Sequence, residues 1–423
     1  MKRIGMVLVF FMIIKSEITS AKTDTLQLDL KKVDSLFIRN NFDLLASGYQ
    51  IDQSKAEIIT AKLFNNPELT YENQFYNPEH KKFFQTSFET GQYAASISQL
   101  FKLAGKRNKN IKLAETGVKL AELAYFDLIR TLRFELHNTF YKTYFSSQTV
   151  NLYQDQIAST QQLLKVYDAQ LKTGNVAAKD VIRIRSLVIS LKSELASLLN
   201  ELEDNYKDLK VLCGLQASAS IAIVLDQKSI IDNKYENLEY SSLLDSARAN
   251  RSDLKLAKTG LQYNDNNLKL QKAMAVPDVE VAFSYDLKGN YPERYTGLGI
   301  KIPIPLFNRN QGEIKKARIG IDAATMNIKK KESLLENEVL NSYRTARRNE
   351  ENFQEIDPSF SNDFNNLIAG LIKNFRERNI SLIEFLDLYE SYKDMNLQLN
   401  KIQLERMSSR EEVNFVTGSN IFK

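Results

Sequence analysis

One structural unit is written twice in this chain, and each copy changes period in the same way. Residues 61–76 (AKLFNNPELTYENQFY) and 96–114 (SISQLFKLAGKRNKNIKLA) reappear as 271–285 (QKAMAVPDVEVAFSY) and 299–317 (GIKIPIPLFNRNQGEIKKA), so that Pro67 matches Pro277. Each copy ends a helical stretch at the proline, runs through two short alternating segments and re-enters a very long helical stretch. A second echo, LKTGNVAAKDV at 171–181 and FRERNISLIEF at 375–385, lies roughly 200 residues apart, as a single tandem repeat requires. The organisation expected is a first repeat over 22–213, a linker over 214–239 and a second repeat over 240–423.

The first residues bear on the compartment. Lys2 and Arg3 precede an apolar run from Ile4 to Ile14, and Thr19-Ser20-Ala21 offers small residues for cleavage, the pattern of a signal peptide over 1–21. That run is 11 residues long, short of the ~20 that span a bilayer as a helix, and no later segment reaches that length. A chain of this kind that enters a membrane enters it as strands. One cysteine, Cys213, permits no internal disulfide, and none near residue 20 is available for lipid attachment. Two distant histidines, His80 and His137, make a metal site improbable. The net charge of +5, with both signs interspersed, gives no nucleic-acid footprint. No phosphate loop, catalytic triad or ligand cluster is visible, so neither enzyme chemistry nor a cofactor is expected.

From Lys106 to about Lys172 the chain has no proline and only Gly117, while Leu113, Val118, Leu128, Leu132, Leu136, Phe140 and Tyr144 recur at helical spacing. Some 65 residues at 1.5 Å each make a rod of ~100 Å, which must pack on other rods. Val181, Ile184, Leu187, Leu191, Leu195, Leu198 and Leu202 supply the partner after a turn at Gly174-Asn175, where Gly174 can take the left-handed conformation. The second repeat predicts helices from Gln311 to about Glu355 and from Leu382 to about Glu412, with a disturbance at Asp357-Pro358 and a turn at Arg378-Asn379. Helices over about 32–64 and 240–274 complete two bundles of three stretches each.

Val279, Val281, Phe283, Tyr285 and Leu287 alternate with polar or small residues, as do Leu69, Tyr71 and Phe75 in the first copy. The return strand expected at 296–304 alternates Leu298, Ile300, Ile302 and Ile304 with Gly297, Gly299, Lys301 and Pro303. This is the pattern of a transmembrane β-barrel with a wet interior, with loops 77–92 and 287–294 outside. Four strands cannot enclose a pore, since the smallest membrane barrels have eight, so several chains must pool their strands; composition does not decide between two and three. Pro303 and Pro305 are placed to end ladder pairing, Asn308 or Asn310 to cap the next helix, and Gly312 to leave room where backbones crowd at the strand-to-helix junction.

At PLFNRNQGEIKKA (305–317), FRERNISLIEFLD (375–387) and FKLAGKRNKNIKLA (101–114), the chain resembles the TolC family of outer-membrane efflux ducts, in its CzcC/CusC-like heavy-metal branch. The resemblance covers essentially the whole mature chain. It implies a mainly α protein with a transmembrane β-barrel portion: a homotrimer whose four strands per subunit form one twelve-stranded barrel in the outer membrane of a Gram-negative bacterium, continued by an α-barrel across the periplasm. It further implies that Glu384 and Asp387, three apart on one helix face, form stacked acidic rings that gate the duct and favour cations. Arg376, Arg378, Lys172 and Lys179 are candidate restraints on those rings. By the same resemblance the turns Gly174-Asn175-Val176 and Arg378-Asn379-Ile380 dock a periplasmic adaptor, although Arg378 stands where the family has glycine. The function expected is a passive exit duct, partnered by the adaptor and an RND-type inner-membrane pump and carrying heavy-metal cations. The alternatives are the exit duct of a peptide or protein secretion system and a soluble periplasmic adaptor.

Overall fold

The computed structural model describes residues 25–226, 238–289, 292–356, 367, 370–371, 373–375, 377 and 379–422. The expected signal segment 1–21, residues 227–237 of the linker, the disturbance at Asp357-Pro358, and Arg376 and Arg378 lie outside these residues.

In chain order the elements are β1 (Leu26–Leu28), α1 (Leu30–Asn40), α2 (Phe42–Lys62), β2 (Glu68–Asn73), β3 (Tyr76–Asn77), β4 (Lys82–Phe83), β5 (Tyr93–Phe101), α3 (Lys106–Lys172), α4 (Ala178–Leu212) and β6 (Ile221–Ile223). The second half contributes α5 (Tyr240–Asn250), α6 (Ser252–Met274), β7 (Val279–Asp286), β8 (Tyr295–Lys301), α7 (Gln311–Gln354) and α8 (Leu382–Thr417).

The expected helix over 32–64 is broken at Asn41. Its carboxamide oxygen accepts from the backbone N–H groups of Asp43 and Leu44 at 3.0 Å, starting α2, while its Nδ2 donates to the Leu212 carbonyl at 3.0 Å. A buried side chain that caps one helix and satisfies the end of another outweighs the propensity of a continuous run. Arg251 breaks the helix expected over 240–274 at the matching place, between α5 and α6. Close packing also explains Gly214 (φ +62°), where an added Cβ would stand 2.4 Å from the Asn40 carbonyl oxygen.

The two halves do not form separate three-helix bundles. The rod α3 packs against α4 and α2 of its own half and against α6 and α8 of the other. One core joins Val33 and Phe37 of α1, Leu44 of α2, Leu136, Phe140 and Phe145 of α3, Leu209 of α4 and Met407 of α8. Each half alone would leave an apolar stripe of α3 in water, and the other half covers it. The linker adds a contact not foreseen: β6 pairs in parallel with β1, Leu26 opposite Ile221.

The strands merge likewise into one antiparallel sheet, order β2-β5-β7-β8, with the β5–β7 ladder uniting the halves from Ala94 opposite Asp286 to Phe101 opposite Val279. In the loop between β2 and β5 a small hairpin pairs Tyr76 with Phe83.

Candidate functional site

The sheet has two chemically distinct faces. Leu69, Ile97, Phe283 and Leu298 stand opposite one another across the strands, each between 50% and 77% exposed. One step along, Tyr71, Ala95, Tyr285 and Thr296 form the next row of that face, and the Tyr93 ring lies 6.2 Å from Tyr71 and 5.9 Å from Tyr285. Intervening rows read Glu68, Ser98, Ala282, Gly299; then Thr70, Ser96, Ser284, Gly297; then Glu72, Ala94, Asp286, Tyr295. Period-two alternation thus places bulky apolar groups on one side and small or polar groups on the other. The sheet's extensive contacts are among its own strands, so its apolar face is left open, and β2 and β8 each pair on one side only.

The strand-to-helix junctions are tied across the repeat. Gly105 (φ +65°) precedes α3, and buried Lys106 puts its Nζ 2.6 Å from Asp278 Oδ1, which also accepts from the Leu103 N–H at 2.9 Å. Arg107 Nε donates to the Lys62 carbonyl at 2.8 Å, and its guanidinium lies over the Phe64 ring at 4.4 Å. Gly-Lys-Arg is therefore a clamp joining the start of α3 to the ends of α2 and α6. In the second copy Asn310 is the helix N-cap, as Gly105 is in the first, and is likewise left-handed at φ +58°. It occupies the N-cap position expected of it, but its side chain does not cap. Its Nδ2 donates to the Gln271 carbonyl at 2.8 Å and to Gln271 Oε1 at 3.0 Å, while Asn308 Oδ1 accepts from the Asn310 N–H at 3.0 Å. Gly312 relieves no crowding within the chain, since a Cβ there would meet nothing within 4 Å. The β8 ladder ends at Lys301, three residues short of the strand expected over 296–304, because β7 begins only at Val279 and leaves nothing for Pro303 and Pro305 to pair with.

At the opposite end of the rods, Gly174 takes φ +72° and the Asn175 N–H donates to the Gln170 carbonyl at 2.9 Å. The second turn closes the same way, Asn379 N–H to the Asn374 carbonyl at 2.9 Å, despite arginine at the matching glycine position. Val176 and Ile380 follow as half-buried residues. Ser381 caps α8 by accepting from the Glu384 N–H at 3.2 Å, which places Glu384 in the favourable first turn. Glu384 and Asp387 are exposed on the side of α8 away from Leu382, Phe385 and Tyr389. Among the described residues neither is in an ion pair, and Lys172 and Lys179 are exposed without reaching them.

Sequence reasoning missed the buried charges that lock the rods midway. His137 of α3 stands 3.2 Å from Asp34 of α1 and 3.0 Å from Glu411 of α8. Burial works against its charge, but the two carboxylates outweigh it and raise its pKa to about 9. Glu350 of α7 accepts from Arg406 at 2.7 Å and Arg410 at 2.5 Å, all three buried. Arg251 grips Asp253 at 2.8 Å and also Glu338, and the pKa of Asp253 falls to about 2 because its cations overcome the penalty of burial. Apart from Arg251 at the helix break, each member sits on a helix stripe where a charge reads as solvated, and only the packing reveals the pairing. Among the described residues no group of three or more His, Cys, Asp or Glu could hold a metal ion, and no helix is long and apolar enough to cross a membrane.

Residues 35–215 match the family model described as outer membrane efflux protein. The chain is 23% identical over 296 residues to the cobalt-zinc-cadmium resistance protein CzcC of Cupriavidus metallidurans, covering 69% of this chain and 66%, just under two thirds, of that protein. The fold is similar to that of the Campylobacter jejuni CmeC outer membrane channel, with a TM-score of 0.74 at 15% identity over 92% of this chain and 85% of that one. It is also similar to CusC, whose structures are described as following transmembrane channel formation, with a TM-score of 0.70 at 18% identity over 93% and 94% of the two chains.

Proposed function

We propose that the chain is a TolC-family protein of the CzcC/CusC-like kind and the passive exit duct of a tripartite efflux system. In this reading it receives cargo from an inner-membrane pump of the RND type through a periplasmic adaptor and releases it through the outer membrane. The observation that carries this is the open sheet, apolar on one face and polar on the other, mounted on long helices of which α3 alone runs ~100 Å. An apolar face of this breadth suits lipid, and a polar face suits a water-filled lumen. Lipid also forbids open strand edges, so β8 of one copy joins β2 of the next, and three copies close a barrel of twelve strands.

The helices support the same closure. Phe42, Leu45, Tyr49 and Ile59 of α2, with Leu63 at its C-cap, form an exposed stripe leading into β2, and Ile319, Met326 and Leu334 form another on α7, which follows β8. Joining β8 to a neighbour's β2 sets α7 beside that neighbour's α2 and covers both stripes. The acidic pair Glu384 and Asp387 then faces the axis near the periplasmic end and biases the duct toward cations, which agrees with a heavy-metal cargo such as that named for CzcC. The turns at Gly174-Asn175-Val176 and Arg378-Asn379-Ile380 are the surface offered to the adaptor.

Edge cross-linking tests this. Gly299→Cys on β8 is combined in turn with Glu68→Cys, Thr70→Cys and Glu72→Cys on β2. The native thiol of Cys213 does not interfere, since burial pushes its pKa up to about 12. The expected result is a covalent trimer from outer-membrane fractions for at least one pair, and ion conductance of the purified protein in planar bilayers. A soluble periplasmic monomer that cross-links in no pairing and conducts nothing removes the duct.

A further inference from the structure

Near the hairpin turns the two repeats frame a cavity that no part of the duct requires. It holds about 300 Å³, with Tyr167 contributed by α3, Phe375 by the chain before the second turn, and Phe385 and Tyr389 by α8. The four rings are set in order. Tyr167 and Phe375 stack with centroids 5.8 Å apart and planes 7° from parallel, Phe375 and Phe385 at 4.3 Å and 20°, and Phe385 and Tyr389 at 5.4 Å and 19°. The rest of the lining includes hydroxyl and amide groups but no charged side chain. At the end of the ring series the Tyr389 hydroxyl donates to the Gln156 carbonyl at 3.4 Å. The side-chain amide of Gln156, a residue only 3% exposed, has no hydrogen-bond partner among the described residues.

We propose that this cavity binds a neutral, planar aromatic molecule, held by stacking on the ring series, and that the occupant pins the second hairpin to α3. A concave space with mostly apolar walls and a few polar groups is what small molecules fill. Near-parallel ring planes select a flat ligand, because only a flat face extends their offset stack. The uncharged lining selects against an ion, whose desolvation nothing there would offset. A hydroxyl or amine at one end of the ligand meets the Tyr389 hydroxyl and the unmet amide of Gln156. A ligand that touches Tyr167 on α3 and Phe385 on α8 at once binds only while the two helices are packed in this way, so it shifts the population toward that packing. The site stands apart from the duct, since its lining is complete within one chain whether or not three copies close a barrel.

The chain contains no tryptophan, so Val166→Trp at the exposed rim of the cavity supplies a unique fluorophore. Val211→Trp, at an exposed position of α4 and ~40 Å further along the hairpin, is the control. The mature protein, purified in detergent, is titrated with N-phenyl-1-naphthylamine, a neutral flat dye that accepts energy from indole. Expected are saturable quenching at 166, displacement of the dye by 1-naphthol but not by naphthalene-1-sulfonate, and amide exchange over residues 382–389 slowed at least threefold in the complex. Leu163→Phe, which fills the cavity with a ring, should weaken dye binding at least tenfold, and Tyr167→Leu, which removes a ring without adding bulk, should do the same. Quenching that does not saturate, or that is as strong at 211 as at 166, assigns the dye to the detergent and overturns the site. Binding that neither substitution weakens places the dye elsewhere and also overturns it. Displacement by the sulfonate as readily as by the naphthol overturns the ligand class, and saturable binding with unchanged exchange overturns the pinning.

Discussion

His137 ties three helices from the two repeats through one ring. Asp34, His137 and Glu411 belong to α1, α3 and α8, and Arg133 adds a second cation to Asp34 at 3.1 Å. Burial would raise the Asp34 pKa, but His137 and Arg133 hold it below the usual carboxylate value. The histidine pKa is raised to about 9 from 6.5. Its stabilising contribution is therefore complete below about pH 6.5 and fades as pH rises through about 9. His137→Gln should lower stability near neutral pH by ~3 kcal/mol, since it leaves two part-buried carboxylates with a single cation. That deficit should shrink as the pH is taken to 10, and a melting-temperature difference independent of pH would show the imidazolium charge to be irrelevant. Nothing in the sequence marks this residue. A lone histidine on a long helix reads as a core or surface residue until the carboxylates of two distant segments are placed beside it.

Among the elements, the hairpin turns were the most legible and the helix breaks the least. Gly174 announces its turn because its left-handed φ of +72° suits glycine, and the site is open enough that a Cβ meets nothing. Gly174→Ala should therefore cost ~1 kcal/mol of backbone strain with no steric penalty, speeding amide exchange about fivefold over residues 171–177 and leaving the global unfolding midpoint nearly unchanged. A large shift of the midpoint would place the tip inside the main cooperative unit instead. The break at Asn41 had no comparable local signal: its reason is the Leu212 carbonyl, supplied by a residue far along the chain. The clamp of Lys106 on Asp278 is likewise a contact between the two copies of the repeat. Its residues stood within the quoted motifs, but their roles depend on which strand follows α6.

For the whole molecule, the role proposed for the exposed acids of α8 depends on the proposed assembly. Glu384→Gln with Asp387→Asn removes two negative charges per subunit near the proposed constriction and keeps the Ser381 cap, whose donor is the backbone N–H of residue 384. The cation-to-anion permeability ratio in planar bilayers should fall roughly threefold. An unchanged ratio with conductance intact would return both residues to the role of solvated helix-start charges. The sequence by itself determined the duplication, the rods, the turns at Gly174 and Asn379, and the two-faced strands, because period and turn chemistry are properties of neighbouring residues. Only the tertiary structure decided that β5 meets β7, that α3 serves both halves, and that buried charges lock the rods between them. Periodicity declares which face of an element must be covered, whereas the identity of the cover depends on the competition among all the faces the chain can bring together.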